Sequence, residues 1–313
     1  MKKITLIRVL DFTEGGRELF ERLRESKGDF TFCDMPSEMS RDDYIKESFL
    51  LHIPLLFIGS AGIAVRLIAP YVKDKLYDPP VIVIDEAGRF VIPLLSGHYG
   101  GGYDIAEGLA RSLPAMLVDT SASDVRKTFA VDVFAKRNGY FISDNDHELI
   151  KKVNAAALNG ESSEILKCSD GILEVNGLKL YPKNLCLGMG CKKGKSFSEL
   201  KAYINQFYDD ETLHRELYAI ATVDRKADEV GLLTLAAFYG AYFFTFTKEE
   251  LSAVAYDGLS TSDFVKETVG VDNVCERAAL LLSGGKELLL SKKAGDGITL
   301  AAAKRSDIKV EEF

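Results

Sequence analysis

The feature that most narrows the fold of this chain is an alternation of short apolar runs with amphipathic stretches of helical period. Residues 3–9, 30–33, 54–58, 81–85, 90–95 and 115–118 read as strands, and 16–25, 41–51, 62–72 and 102–113 as helices. Runs lacking polar alternation belong to strands buried on both faces, which predicts mostly parallel sheets covered by helices on each side. Ser40, with Asp43 three residues on, is a weak capping box that opens one of those helices. The alternation loosens after Asp124. There, 125–136 and 148–158 read as helices and 165–181 as short strands turned at Asp170-Gly171 and Asn176-Gly177. It resumes at Asn184 with strands 185–188, 217–223, 242–246, 288–291 and 298–303, and helices 197–207, 228–239, 248–255 and 274–282. The expected class is α/β: two domains with mostly parallel sheets, residues 1–124 and 184–313, joined by a small bridging subdomain, 125–183.

Composition agrees and removes several functions. A length of 313 residues suits two domains of about 150 residues each. A hydrophobic fraction of 47% supplies enough apolar surface to exclude general disorder. With 39 Lys and Arg against 47 Asp and Glu, the formal charge of −8 argues against a broad polyanion surface and so against nucleic acid. An anionic small molecule remains open, because it needs only a local cationic or amide-lined site. No apolar run reaches the roughly 18 residues that span a bilayer, and residues 1–10 carry Arg8 and lack a cleavage pattern. No membrane role is expected. Cys33, Cys168, Cys186, Cys191 and Cys275 are scattered, as are His52, His98, His147 and His214, in neither disulfide nor zinc spacing. The expectation is a cytoplasmic protein with no metal site of its own.

Five segments sit where a strand pattern ends, the usual ligand edge of an open α/β sheet. In the first, Gly59, Ser60 and Gly62 offer a helix start to an anion, and Arg66 follows one turn later as a carboxylate clamp or as a plain surface arginine. The second holds Ser96, Gly97, His98, Gly100 and Gly101. Its glycines need a steric reason, and His98 either transfers a proton or pins the loop by hydrogen bonding. In the third, Thr120 and Ser121 suit an oxygen-rich ligand, while Ser123 or Asp124 equally caps the next helix. The fourth has Gly188, Gly190, Cys191, Lys192, Lys193, Gly194 and Lys195, an anion cradle in form that fits neither the dinucleotide fingerprint nor the P-loop. Cys191 is a nucleophile there only if its lysines lower its pKa; otherwise it is a packing residue. The fifth, with Asp224, Lys226 and Glu229, is an acid–base pair beside an anion-binding lysine or an ordinary acidic helix start.

Taken in order, these words resemble the CbiG family of cobalamin-biosynthesis proteins. The resemblance runs through GSAGIAVRLIAP from Gly59, DPPVIVIDEAG from Asp78 and IPLLSGHYGG from Ile92. It continues through LGMGCKKGK from Leu187, VDRKADEVG from Val223, VCERAAL from Val274 and GITLAA from Gly297, so it covers about 54–303. The chain departs from the family at Gly102-Tyr103, where Ala-Asn is usual, and at 119–124, where the family's Thr-Thr-Ala-Thr-Asp word appears as Asp119-Thr120-Ser121-Ala122-Ser123-Asp124.

The resemblance implies cobalt-precorrin-5A hydrolase activity: opening of a δ-lactone on the contracted macrocycle and release of acetaldehyde to give cobalt-precorrin-5B. Cobalt would arrive with the substrate, so no cofactor is implied. The macrocycle's carboxylates would meet Arg66, Lys192, Lys193 and Lys226, the hydroxyls of Ser60, Ser96, Thr120 and Ser121, and backbone near the glycines, in a cleft between the two domains. His98 is the first candidate for proton transfer, with Glu229 or Asp224 second. Transient contact with other cobalamin-pathway enzymes is a possible partnership. Two other readings stand: a non-catalytic tetrapyrrole carrier, and an α/β enzyme for a nucleotide or sugar phosphate.

Overall fold

The computed structural model describes residues 1–26, 28–74, 77–97, 100–118, 128–143, 146–256, 258–260, 272–285 and 287–306. Two compact units emerge, one from Leu6–Pro182 and the other from Met1–Thr5 together with Lys183–Lys309. The first few residues therefore belong with the C-terminal half. Lys2–Lys3 form a short strand, β1, that lies antiparallel against residues 244 and 245, and Ile4 N–H donates to Phe243 O at 2.9 Å. The continuous strand expected over 3–9 is thus divided between two sheets.

The N-terminal unit starts with β2 (Thr5–Asp11), α1 (Glu14–Glu25), β3 (Phe30–Cys33), α2 (Arg41–Leu50), β4 (Leu55–Ile58) and α3 (Ala61–Ile68). Then come β5 (Val81–Ile84), β6 (Phe90–Leu95), α4 (Gly102–Ser112) and β7 (Met116–Leu117). The sheet order is β3-β2-β4-β5-β6-β7. Side-chain alternation sorts its two faces. Ile7, Val9, Leu56, Ile58, Ile82 and Ile84 pack with Leu19, Phe20, Ile105 and Leu109 of α1 and α4. Leu55, Phe57, Val81 and Val83 pack with Tyr44, Ile45, Ala64 and Ile68 of α2 and α3. Burying each such aliphatic side chain is worth about 1.5–3 kcal/mol, which is why four-residue strands suffice. Ser40 caps α2 as expected, accepting from Asp43 N–H at 3.0 Å.

One strand corrects the parallel pattern. β2, β4 and β5 are parallel, whereas β6 runs antiparallel to β5, with Val81 opposite Leu95, and β7 is parallel to β6. The loop leaving β6 therefore emerges at the opposite edge of the sheet from the loop leaving β4. The same unit continues with α5 (Val131–Arg137), β8 (Tyr140–Phe141), α6 (His147–Leu158), β9 (Ile165–Lys167), β10 (Leu173–Val175) and β11 (Leu178–Pro182). These strands form an antiparallel sheet in the order β8-β11-β10-β9. Asn176 and Gly177 make the two-residue turn between β10 and β11, both at positive φ, as the Asn-Gly pair predicts.

The C-terminal unit comprises β12 (Leu185–Cys191), α7 (Phe197–Ile204), α8 (Asp210–Glu216), β13 (Leu217–Val223), α9 (Val230–Phe238), β14 (Tyr242–Phe246) and α10 (Lys248–Ser252). It closes with α11 (Cys275–Ser283), β15 (Leu288–Gly295) and β16 (Ile298–Lys304). The sheet order is β1-β14-β13-β12-β16-β15, with β12, β13 and β14 parallel and the outer pairings antiparallel. Cys186, Ala219, Ala221, Val223, Phe244 and Phe246 face Leu251, Val274, Ala278 and Leu282 of α10 and α11.

The strand expected to stop at Gly188 runs to Cys191, so Gly188 and Gly190 lie inside it, opposite Ala301 and Thr299. A Cβ on Gly188 would lie 1.8 Å from Cys275 O and 2.7 Å from Ala279 N, so α11 rests backbone-on-backbone against β12 there. Gly188→Ala is expected to destabilise the protein by about 1–3 kcal/mol or more, because neither backbone can yield easily. Urea unfolding of the variant beside wild type measures it.

Candidate functional site at the carboxyl ends of the C-terminal strands

Three parallel strands end on one edge of the C-terminal sheet, at Cys191, Val223 and Phe246. The loop after β12 carries Lys192, Lys193, Gly194 and Lys195, and the turn after β13 is a 3-10 helix, Asp224–Lys226. The helix expected to start at Asp228 begins at Val230. These two connections are joined by one side chain. Glu229, 7% exposed, accepts from Gly194 N–H through Oε1 at 2.6 Å and from Lys226 Nζ through Oε2 at 2.6 Å. Two positions after it, a Cβ on Gly231 would lie 2.0 Å from Lys195 O, so the start of α9 touches the lysine loop directly.

The lysines play different parts. Lys195 turns to Glu199 at 2.7 Å, within a capping box in which Ser196 Oγ accepts from Glu199 N–H and Glu199 accepts from Ser196 N–H. These bonds, with the Lys195 contact foremost, hold the Glu199 carboxyl down to about 2. Lys192 and Lys193 are exposed and have no ion pair among the described residues. Lys192 N–H donates to Gly297 O at 2.8 Å, which ties the loop to the turn between β15 and β16. Asp224 is exposed. Burial pushes the Cys191 thiol up to about 11 despite Lys226 and Lys195. The condition under which Cys191 would act as a thiolate nucleophile is therefore not met, since desolvation outweighs the lysines.

The N-terminal candidates do not converge on one place. Gly59, Ser60, Gly62 and Arg66 lie at the carboxyl end of β4. Gly59, at φ 150, donates its N–H to Ile84 O at 2.8 Å, and Ser60 occupies the N-cap of α3 without a side-chain cap bond. Arg66 is exposed and donates to Gly62 O at 3.3 Å, in its own helix. Ser96, Gly97, Gly100 and Gly101 lie at the opposite sheet edge, beyond β6. Gly102 and Tyr103 donate their N–H groups to Ser96 O and Gly97 O, so those loop carbonyls already occupy the start of α4. Ser96 is buried, its Oγ has no hydrogen-bond partner among the described residues, and a Cβ on Gly100 would lie 2.5 Å from Ser96 O. His98, Thr120 and Ser121 lie outside the described residues.

Sequence reading did not single out Gly231 or the bracing role of Gly194. A Glu-x-Gly spacing after a strand-end turn carries no local pattern; the contact is made only when the two loops meet. Among the described residues no cluster of three or more His, Cys, Asp or Glu side chains could hold a metal ion, and no helix is long and apolar enough to cross a membrane.

Two outcomes follow from the protonation states. In native protein near pH 8, iodoacetamide is expected to modify exposed Cys168 first and Cys191 far more slowly, with buried Cys186 and Cys275 modified only on unfolding; peptide mass spectrometry resolves the order. Glu199 titrates below its ordinary value of 4.5, so its contribution to stability is complete above 4.5 and is lost as pH falls through about 2. The advantage of wild type over Glu199→Gln in an unfolding series against pH should fade across that window.

Fold and strand-end chemistry together describe an α/β protein that presents exposed lysines on a braced loop. Comparison with known proteins supplies the family. The cobalamin synthesis G N-terminal model matches residues 43–124, and the cobalamin synthesis G C-terminus model matches 185–303. The cobalt-precorrin-5A hydrolase of Priestia megaterium is 33% identical over 295 residues, covering 80% of this chain and 78% of that protein. The enzyme of the same name from Salmonella typhimurium is 33% identical over 293 residues, covering 82% and 83%. Among solved structures, CobE, a protein from the cobalamin (vitamin B12) biosynthetic pathway, is 31% identical, covering 38% of this chain and 89% of its own, with a TM-score of 0.35. The chain belongs to the CbiG family of cobalamin-synthesis proteins.

Proposed function

We propose that this chain is a cobalt-precorrin-5A hydrolase of cobalamin biosynthesis. The observation that carries the reading is one-third identity, across about four-fifths of the chain, to two proteins that bear that name. A non-catalytic carrier would bind the same intermediate without turnover, and the names of these relatives weigh against it. Cobalt belongs to the substrate in this reading, and the protein supplies binding, orientation and proton transfer. A reducing cytoplasm suits the five free cysteines.

The chemistry consumes one water. Water adds to the lactone carbonyl and the acyl–oxygen bond breaks, leaving a carboxylate and a hydroxyl on the two-carbon fragment. Loss of the hydroxyl proton then drives cleavage of the bond to the ring; the fragment leaves as acetaldehyde and the electron pair passes into the conjugated macrocycle. The protein's tasks are to activate the water, take up the hydroxyl proton and hold the ring by its acetate and propionate groups. Lys192 and Lys193 are the cations best placed for those groups, being exposed and without ion pairs among the described residues. We assign proton transfer to His98, a proposal that rests on its sequence context, and place exposed Asp224 second.

The test is direct. Incubation with cobalt-precorrin-5A should release acetaldehyde, and binding without release would return the carrier reading. His98→Gln should lower turnover by about a hundredfold while leaving binding near wild type. Full turnover in that variant would remove His98 from the assignment.

A further inference from the structure

Glu229 is the buried acid at the lysine-bearing edge, where Glu199, Asp224 and Asp228 are exposed. Each carboxylate oxygen receives a short bond, one from the Gly194 amide and one from the Lys226 ammonium, and the residue is 7% exposed. A carboxylate so enclosed, with a donor already on each oxygen, is poorly placed to touch a ligand. What it does is mechanical. One oxygen fixes the loop after β12 and the other fixes the turn after β13, so the two connections cannot move independently. Gly231 presses the start of α9 onto Lys195 O at the same junction. Gly194 sits at φ 80, a conformation that glycine adopts cheaply, so its N–H can be aimed at Glu229 without strain. Lys192 and Lys193 immediately precede that anchored residue.

We infer that Glu229 is a positioning residue that holds the Lys192–Lys195 loop in the geometry that receives a polycarboxylate tetrapyrrole. The class of ligand rests on the function proposed above; the bracing geometry does not. Charge and geometry make opposite demands here, which renders the inference sharp. Counted as charge alone, neutralising Glu229 removes a negative group beside an anion site and should tighten binding. As a brace, its neutralisation frees Lys226 and loosens the loop, so binding should weaken.

The probe is uroporphyrin III, with eight carboxylates, compared with coproporphyrin III, with four. The chain contains no tryptophan, so porphyrin fluorescence is followed in a titration of the full-length protein. Wild type should bind uroporphyrin the more tightly, and failure to bind it would overturn the ligand class. Glu229→Gln should raise the Kd for uroporphyrin about tenfold. An unchanged or lower Kd overturns the brace. Lys226→Gln should weaken binding as well, and the double variant should be little worse than the poorer single one, whereas additive losses would count against a shared brace. Should Glu229→Gln fail to fold, Gly231→Ala displaces the same loop without altering charge, and wild-type affinity in that variant would equally overturn the inference. In turnover assays the brace predicts a raised KM with kcat largely kept; loss of kcat at constant KM would instead make Glu229 a catalytic residue. If wild type releases no acetaldehyde, the proposed function fails while the porphyrin comparison still decides the role of Glu229.

Discussion

The C-terminal unit depends on the contact at Gly188, where a helix lies against a strand with no side chain between them. Strand β12 is central, with β13 parallel on one side and β16 antiparallel on the other, so whatever fixes its depth fixes the sheet. The closeness of α11 also sets what surrounds the start of that helix. Glu276, buried, accepts from Lys292 N–H of β15 at 2.7 Å and from Ser260 N–H and Oγ at 2.9 Å each. Asn273 donates to Ser260 O at 2.9 Å and to the same Glu276 carboxylate, so no basic side chain is needed to keep this acid satisfied.

Acids are used in three ways in this unit. Glu276 stitches backbone to backbone through neutral donors, whereas Glu229 shares itself between a backbone amide and a lysine. A third arrangement lies farther from the strand ends. Although burial raises Asp210, bonds from Lys201, Tyr239 and Asn205 bring its carboxyl down to about 2. Lysines are drawn into such pairs at Lys195, Lys201 and Lys226. Lys192 and Lys193 stand out against that background. In a chain of net charge −8, two adjacent lysines without an ion pair among the described residues, on a braced loop, concentrate positive potential locally without making the whole surface attractive to polyanions.

Much of the architecture was legible because it rests on local pattern. The apolar runs at Leu55–Ile58 and Val81–Ile84, the Asn-Gly turn and the Ser40 cap each carry their own physics within a few residues. What was not legible depends on pairing. The run at Phe90–Leu95 reads as a strand in either direction, and only its register against β5 reveals that its loop points away from Gly59. The glycines at 188 and 190 read as a ligand cradle because glycine signals close approach without naming what approaches; at Gly188 it is a helix backbone, and at Gly190 the Thr299 hydroxyl. At Cys191 the sequence leaves nucleophile and packing residue both open, since neighbouring lysines are visible in it and desolvation is not. The pairing of Glu229 with Gly194 spans two connections that no local window contains.

The placement of β1 bears on how the chain is made. Residues of the second unit's edge strand precede the whole first unit in the chain, yet their partner strand, β14, follows it. The first unit, whose described residues fall between Leu6 and Pro182, can condense as it emerges, while Lys2–Ile4 wait for β14 through most of elongation. Closure of that pair joins residues 2 and 3 to residues 245 and 244, the kind of long-range contact that slows folding. Until it closes, the aromatic-rich edge of β14, Tyr242–Phe246, remains open, and it is the two lysines of β1 that cover it once the pair forms.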